Sequence, residues 1–331
     1  MIQLIKLLLP FLAIFYLVAC NDSEIQNNNQ TEKNSTETSQ IEKKDQTVYP
    51  LTITDGRGKE ITISEQPKRI VSTALAVDEY LVNLVPTKNI LGVTAISADP
   101  GISNVAGKTD AIETKFETVT AEQVLALNPD LVIIPSYVNP EVLDQLDSAG
   151  ITTFQVVDDS SFEGILKTVE TLGKIVNAQQ KANELVADIQ KRIDTLKENA
   201  EKKADKPRVL YYTEYSSSVT DNTTIGEMIN LAGGINVVTE AGIVGEAYPD
   251  YPDISKEVLV ELKPDVIFTT AWGAGEGEPA FVTDWKNDPA LKDVPAIKNN
   301  KIYVLDSANV TTASHYVIEG AEEMAAILSK E

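Results

Sequence analysis

Apolar and polar residues alternate from Leu51 to Thr54 and again from Glu60 to Ser64, on either side of Asp55-Gly56. A period of two around such a turn dipeptide predicts a β-hairpin. Beyond Pro67 the pattern changes to blocks: Arg69-Ile-Val-Ser-Thr reads as a buried strand, Val77 to Leu84 as a helix and Ile90 to Val93 as a strand. Helix 120–127, strand 131–134, helix 140–148 and strand 151–157 continue an alternation that suits a parallel sheet with helical crossovers. From Phe162 to Ala200 apolar residues recur at spacings of three and four, among them Ile165, Val169, Leu172, Leu185, Ile189, Ile193 and Leu196, which predicts a long amphipathic helical stretch with a break near Asn177. A charged connector ending at Pro207 leads into a second α/β series. It holds a strand at Arg208-Val-Leu-Tyr-Tyr, helices 224–232 and 255–262, strands 265–270 and 301–305, and a last helix from His315 to Ser329.

The two series share a phrase. Ala121-Glu122-Gln-Val-Leu-Ala-Leu-Asn-Pro129-Asp130 and Lys256-Glu257-Val-Leu-Val-Glu-Leu-Lys-Pro264-Asp265 lie 135 residues apart, and each leads from a glutamate through an apolar helical turn to Pro-Asp and a β-branched strand. Such doubling predicts two similar Rossmann-like α/β lobes, here at 49–160 and 204–331, with a helical linker over 161–203. A linker helix is stiffer than a set of strand crossovers, so the expected lobe motion is small.

The start of the chain differs in composition. Lys6 precedes an apolar run from Leu7 to Val18 that is short and interrupted by Pro10, the pattern of an export signal over 1–19 and not of a membrane span. The residues Leu17-Val18-Ala19-Cys20 resemble the lipobox of bacterial lipoproteins, which implies lipidation of Cys20 and an extracytoplasmic protein anchored to the cell membrane. Residues 20–48 are rich in Asn, Gln, Ser, Thr, Glu and Lys, and bury too little apolar surface to offset the entropy of ordering, so they read as a flexible tether. The formal net charge is -22. A surface this acidic repels nucleic acid and anionic lipid. With the single cysteine lipidated, no thiol is left for a disulfide, a metal or a nucleophile.

Taken together, the lipobox, the tether, the Asp55-Gly-Arg-Gly hairpin, Pro67-Lys-Arg-Ile-Val-Ser, the paired Glu and Pro-Asp segments, the helical linker and Leu231-Ala-Gly-Gly-Ile-Asn resemble the substrate-binding lipoproteins of ABC importers for iron complexes, haem and cobalamin. The resemblance covers residues 49–329 and implies the helical-backbone periplasmic-binding-protein fold, no enzymatic activity, and no resident cofactor or metal beyond the transported ligand. It also implies that a small molecule sits between the lobes and that Glu122 and Glu257 dock onto arginines of a permease dimer served by its ATPase. A local explanation of the two acids stands beside this one. Thr120-Ala-Glu-Gln123 fits a capping box, and acids in a first helical turn are favoured by the macrodipole.

In open α/β sheets ligands lie beyond the carboxyl ends of the strands. The segments expected there are 73–78, 95–101 and 135–139 in the first lobe, and 213–218, 245–253, 271–281 and 307–315 in the second. They carry Tyr137, Tyr215, Tyr248, Tyr251, Trp272 and Phe281, which as a group suit a large, flat or greasy ligand, although each alone fits ordinary packing. Arginine occurs only at 57, 69, 192 and 208, in the hairpin, at two strand starts and on the linker. Its absence from the cleft disfavours a strongly anionic siderophore and leaves cobalamin, a hydroxamate complex or haem, with Lys108 and Lys115 as remaining cations. His315, the only histidine, fits either an axial ligand to iron or cobalt or a capping or packing residue beside Ser314. Gly273-Ala-Gly-Glu-Gly-Glu278 lacks the spacing of a phosphate loop and bears two acids that repel phosphate.

Three other classes compete. One histidine, no mature thiol, no GxSxG and no HExxH leave few routes to triad or zinc catalysis, so an exported enzyme would be a carboxylate-dependent hydrolase. A free-metal receptor for zinc or manganese would ordinarily use several imidazoles. An adhesin or scaffold lipoprotein has no need of a doubled α/β architecture around a cleft.

Overall fold

A computed structural model describes residues 46–156, 160–271 and 277–330. The signal segment, Cys20, the tether up to residue 45 and Trp272 lie outside the described residues.

The predicted hairpin is present as β1 (Leu51–Thr54) and β2 (Glu60–Ile63), antiparallel with Leu51 opposite Ile63 and Thr54 opposite Glu60. Its turn is built on Asp55, whose carboxylate accepts the amides of Arg57 at 2.9 Å and Lys59 at 3.1 Å. Gly56 donates its amide to the Gln155 carbonyl, and a Cβ there would stand 2.3 Å from the Val156 oxygen, so the hairpin seats closely on the first lobe only with glycine at this place.

The first lobe continues through β3 (Ile70–Ser72), α1 (Leu75–Leu84), β4 (Ile90–Thr94), β5 (Thr114–Phe116), α2 (Ala121–Ala126), β6 (Leu131–Ile134), α3 (Pro140–Ser148) and β7 (Thr153–Gln155). The strands form a parallel sheet in the order β5-β4-β3-β6-β7. Strand β5 went unread because three residues, Thr-Lys-Phe, give no usable periodicity at a sheet edge.

The helical stretch breaks where the pattern indicated. Asn177 has φ 58, which turns the chain and leaves two helices, α4 (Phe162–Ile175) and α5 (Gln179–Glu201), instead of one continuous linker helix. They fold back on each other as an antiparallel pair. A Cβ on Gly173 would lie 2.4 Å from that of Ala182, so glycine permits the close approach. Helix α4 packs on α1, while α5 packs on the second lobe, where Arg192 pairs with Glu319 at 2.8 Å and Glu322 at 2.5 Å.

The second lobe comprises β8 (Arg208–Tyr211), α6 (Thr224–Leu231), β9 (Ile235–Asn236), α7 (Val237–Glu240), α8 (Lys256–Leu262), β10 (Val266–Thr270), α9 (Ala280–Asn287), α10 (Pro295–Lys298), β11 (Ile302–Leu305), α11 (Ser307–Val310) and α12 (Val317–Leu328). Its sheet is parallel in the order β11-β10-β8-β9. The short helices α7, α10 and α11, four residues each, are below the length at which a helical period can be seen.

Both sheets are buried on both faces, and alternate strand residues enter different clusters. Ile70, Leu131 and Ile133 join Leu172 and Ile189 of the helix pair and Val209, Phe268 and Met324 of the second lobe in one core. Val71, Val132 and Ile134 pack outward under α2 and α3, and Leu210 and Ile267 pack outward with Tyr212 and Trp285. Because one hydrophobic core runs from lobe to lobe through α4 and α5, separating the lobes would expose apolar surface at roughly 25 cal/mol per Å².

Candidate functional site

The repeated segments form equivalent structures. Helix α2 is capped by Thr120, whose hydroxyl accepts the Gln123 amide, and α8 by Ser255, whose hydroxyl accepts the Val258 amide, both at 3.3 Å. Glu122 and Glu257 each occupy the second helical position and are exposed. Capping is thus carried by the hydroxyls and leaves both carboxylates at the surface. The amide of Glu257 itself and the Ser255 hydroxyl hold the Glu257 carboxyl below its usual pKa.

The helices also end alike. Asn128 has φ 48 and Lys263 φ 47, after which Asp130 accepts the amides of Lys68 at 2.8 Å and Arg69 at 3.0 Å, and Asp265 accepts that of Arg208 at 2.9 Å. The arginines answer by capping the helix carboxyl ends: Arg69 Nε donates to the Asn128 carbonyl at 2.8 Å, and Arg208 Nη1 to that of Leu262 at 2.6 Å. Arg69 and Arg208 were readable as strand starts. Their partnership with the Pro-Asp ends shows only in the folded chain, and an arginine opening each lobe's first parallel strand is its one trace in the sequence.

Four tyrosines named from the sequence are exposed at the carboxyl ends of strands: Tyr137 of the first lobe at 71%, and Tyr215, Tyr248 and Tyr251 of the second at 81%, 72% and 54%. The second-lobe residues are brought together by backbone bonds from Ser218 to the Pro252 carbonyl, Thr220 to Asp250 and Ile254 to Ser216, at 2.8–3.0 Å. Beside this strap is a cavity of about 600 Å³, floored by Tyr212, Phe281 and Trp285 and edged by Glu214, Tyr215 and Asp253. The floor rings stand edge to face or tilted, with centroids 4.4–5.0 Å apart.

His315 and the 307–315 segment take a different place. The segment runs along the seam where the lobes meet. Tyr80 of α1 donates to the Ala313 carbonyl at 2.9 Å, Asn104 to that of Ala308 at 2.6 Å, and Asn83 to the Tyr316 hydroxyl at 3.1 Å. His315 is 4% exposed between Tyr80 and Tyr316, with Nε2 3.4 Å from the Asn83 amide nitrogen. Burial, with a lesser push from Lys108, takes its pKa down to about 4, so the imidazole is neutral. The ring is packed between the two tyrosines with Nε2 facing Asn83, while Nδ1 is buried without a hydrogen-bond partner among the described residues.

The seam's central residue, Glu79, had no sequence signal. Its carboxylate is fully buried and accepts the amide and side chain of Asn104 from the first lobe and the hydroxyls of Thr312 and Ser314 from the second. Neighbouring Asp78 is equally buried and bonds the amide and hydroxyl of Thr94. Burial pushes Asp78 up to about 7 and raises Glu79 as well.

Among the described residues the four arginines are engaged in other places. Arg57 is held by Asp55, Asp147 and Thr153, Arg192 by Glu319 and Glu322, and the other two by the helix ends and Glu240. Lys115 donates to the Thr109 carbonyl and Lys108 to the Tyr316 hydroxyl.

Comparison with known proteins agrees with this layout. The chain is 28% identical over 286 residues to the uncharacterized ABC transporter substrate-binding lipoprotein YvrC of Bacillus subtilis (strain 168), across 84% of this chain and 85% of that one. It is 27% identical over 222 residues to a cobalamin-binding protein of Halobacterium salinarum, across 67% of this chain and 58% of the relative. A crystal structure of an ABC transporter substrate-binding protein from Listeria monocytogenes EGD-e superimposes with a TM-score of 0.62 at 26% identity, covering 81% of this chain and all of that one. Residues 70–308 match the family model Peripla_BP_2, described as periplasmic binding protein, and with its two-lobed parallel-sheet architecture the chain belongs to that family.

Proposed function

We propose that this protein is the extracytoplasmic receptor of an ABC importer, lipid-anchored through Cys20, which holds an iron complex, haem or cobalamin between its lobes and delivers it to a permease dimer through Glu122 and Glu257. The observation that carries the ligand half is the exposure of Tyr137, Tyr215, Tyr248 and Tyr251 at the strands' carboxyl ends, while the other aromatics among the described residues are buried or partly buried. Broad aromatic faces suit a large, flat ligand. The Halobacterium relative's cobalamin binding points to ligands of the same class. The docking half is supported by two carboxylates in the same exposed position on two similar lobes, which a two-fold permease can match with a pair of cations.

Members of this family are substrate-binding transport proteins and not enzymes, which removes the hydrolase alternative. Among the described residues no three His, Cys, Asp or Glu side chains gather as a zinc or manganese receptor would need.

Thermal unfolding with haem, cobalamin and a set of ferric siderophores tests the proposal. A ligand bound at a hundredfold over its Kd adds about 2.7 kcal/mol. One of these compounds is expected to raise the melting temperature by several degrees, and no response to any of them would overturn the reading.

A further inference from the structure

We infer that Glu79 is a positioning residue for cargo binding: through the reach of its side chain it sets the spacing of the two lobes, and with it the width of the cleft, an inference that rests on the receptor reading. The loops it joins both leave the carboxyl ends of strands, the side on which the four exposed tyrosines stand. Asn104 follows β4 and the 95–101 segment, and Thr312 and Ser314 follow β11. Glu79 itself is one turn into α1, which opens just beyond β3. Its neighbour Asp78 holds α1 to the end of β4 through the amide and hydroxyl of Thr94, so the first-lobe side of the contact is fixed within its own lobe. Of these two acids it is Glu79 that crosses the seam.

The partners of Glu79 are neutral. Two hydroxyls, a backbone amide and a side-chain amide meet the carboxylate, and no cation among the described residues pairs with it. Apolar side chains of similar volume commonly stabilise a fold as well as a buried charge does, and the best attested use of such a charge is to select one register. The rest of the seam leaves that task open. Ile133, Leu172, Phe268 and Met324 join the lobes in one apolar core, whose attraction is non-directional, whereas four bonds of 2.5–3.1 Å to one carboxylate fix a distance. Tyr80 and Asn104 also cross the seam, to the Ala313 and Ala308 carbonyls, but Glu79 is the group that gathers donors from both lobes. A cleft held at its working width in advance lowers the ordering cost of binding.

Two variants separate reach from charge. Glu79→Asp keeps the carboxylate but shortens its reach by about 1.5 Å, so it meets Asn104 and the Thr312–Ser314 pair together only if the lobes shift. Glu79→Gln keeps the reach and removes the charge. Spin labels at Asp144→Cys and Glu261→Cys, exposed positions on α3 and α8, report the spacing in the full chain carrying Cys20→Ser. The label distance should be single and narrow in the parent and in Glu79→Gln, and shifted or broadened in Glu79→Asp. Thr312→Val/Ser314→Ala, which removes only the second-lobe donors, should broaden it too. Haem, cobalamin and the ferric siderophores are then titrated into the unlabelled proteins, each checked for folding by thermal melting. Any of them that binds wild type should bind Glu79→Asp about tenfold more weakly and Glu79→Gln within about threefold of wild type. A label distance unaltered in both Glu79→Asp and the hydroxyl variant, or an affinity kept by Glu79→Asp and lost by Glu79→Gln, would overturn the inference and leave the receptor reading intact. Failure of haem, cobalamin and every siderophore to bind wild type would instead overturn the receptor reading and this inference with it.

Discussion

The carboxylate of Glu79, on the first lobe, accepts a hydrogen bond from the Ser314 hydroxyl of the second at 2.5 Å. The same oxygen takes the Thr312 hydroxyl at 2.6 Å, and the other takes Asn104 through its amide at 2.9 Å and its side chain at 3.1 Å. One buried side chain thus fastens two loops that belong to different lobes. Truncation by Glu79→Ala strands four donors in a site closed to water, and the expected loss is about 3 kcal/mol. Glu79→Gln keeps an acceptor for Asn104 and donors that the hydroxyls can accept, so it should lose less than half as much. Urea unfolding measures both, and equal midpoints for Glu79→Ala and wild type would show that the seam is not held by this residue.

Asp130 and Asp265 make a second, internally controlled case. At the start of its lobe's first parallel strand Asp130 accepts two backbone amides and Asp265 one, directly after a helix whose end is capped by the arginine opening that strand. Asp130→Ala and Asp265→Ala should each cost about 1–2 kcal/mol, because charge-assisted bonds to amides are lost while the arginines keep their carbonyls. The effects should match between the lobes to within a factor of about two. Chemical denaturation of the two variants checks this, and a loss in only one lobe would mean that the repeat is a likeness of sequence without equal structural weight.

The two α/β lobes and most of their strands were legible because they follow from signals within short windows, β-branched runs between helical periods, whereas the order of the strands in each sheet was not. The break at Asn177 was legible for the same reason. What lay hidden depends on contacts between distant positions. Glu79 is an ordinary first-turn acid of a helix until Thr312 and Ser314, more than 230 residues away, are brought to it. The surroundings of His315 were equally hidden, because Tyr80 and Asn83 reach it from the other lobe. Strands of three or two residues, β5 and β9, take their conformation from the neighbouring strand, so their own sequence carries little of it.

Acid should act on the seam in two opposite ways. The folded-state pKa of His315 is near 4 against about 6.5 unfolded. The folded state therefore binds fewer protons in that window, and the contribution of His315 to stability, present above pH 6.5, is lost as pH falls to 4, by about 3 kcal/mol. Asp78, near 7 when folded against about 3.9 unfolded, has the reverse slope: its burial penalty is relieved as pH falls through 7 towards 4. Glu79, raised by burial, adds to the Asp78 direction, so relative to wild type His315→Gln should gain stability on acidification and Asp78→Asn should lose it. Calorimetric melting across that range reads the slopes, and identical profiles for all three proteins would contradict the assignment.

Glu122 and Glu257 offer the cleanest separation of stability from function, because Thr120 and Ser255 already cap their helices. Removing an exposed first-turn acid forfeits only a solvent-screened interaction with the helix dipole, and a lysine there adds a mild repulsion, so the double variant Glu122→Lys/Glu257→Lys should still fold and melt within a few degrees of wild type. Its ligand affinity should also be unchanged, since neither side chain is on the segments that carry the tyrosines. Uptake of labelled ligand through the cognate permease should nevertheless vanish, as two like charges now face the cations they are proposed to meet. Each single reversal should retain partial transport, one of two contacts being intact. Transport at the wild-type rate in the double variant, with affinity and melting both normal, would remove the docking role from the pair.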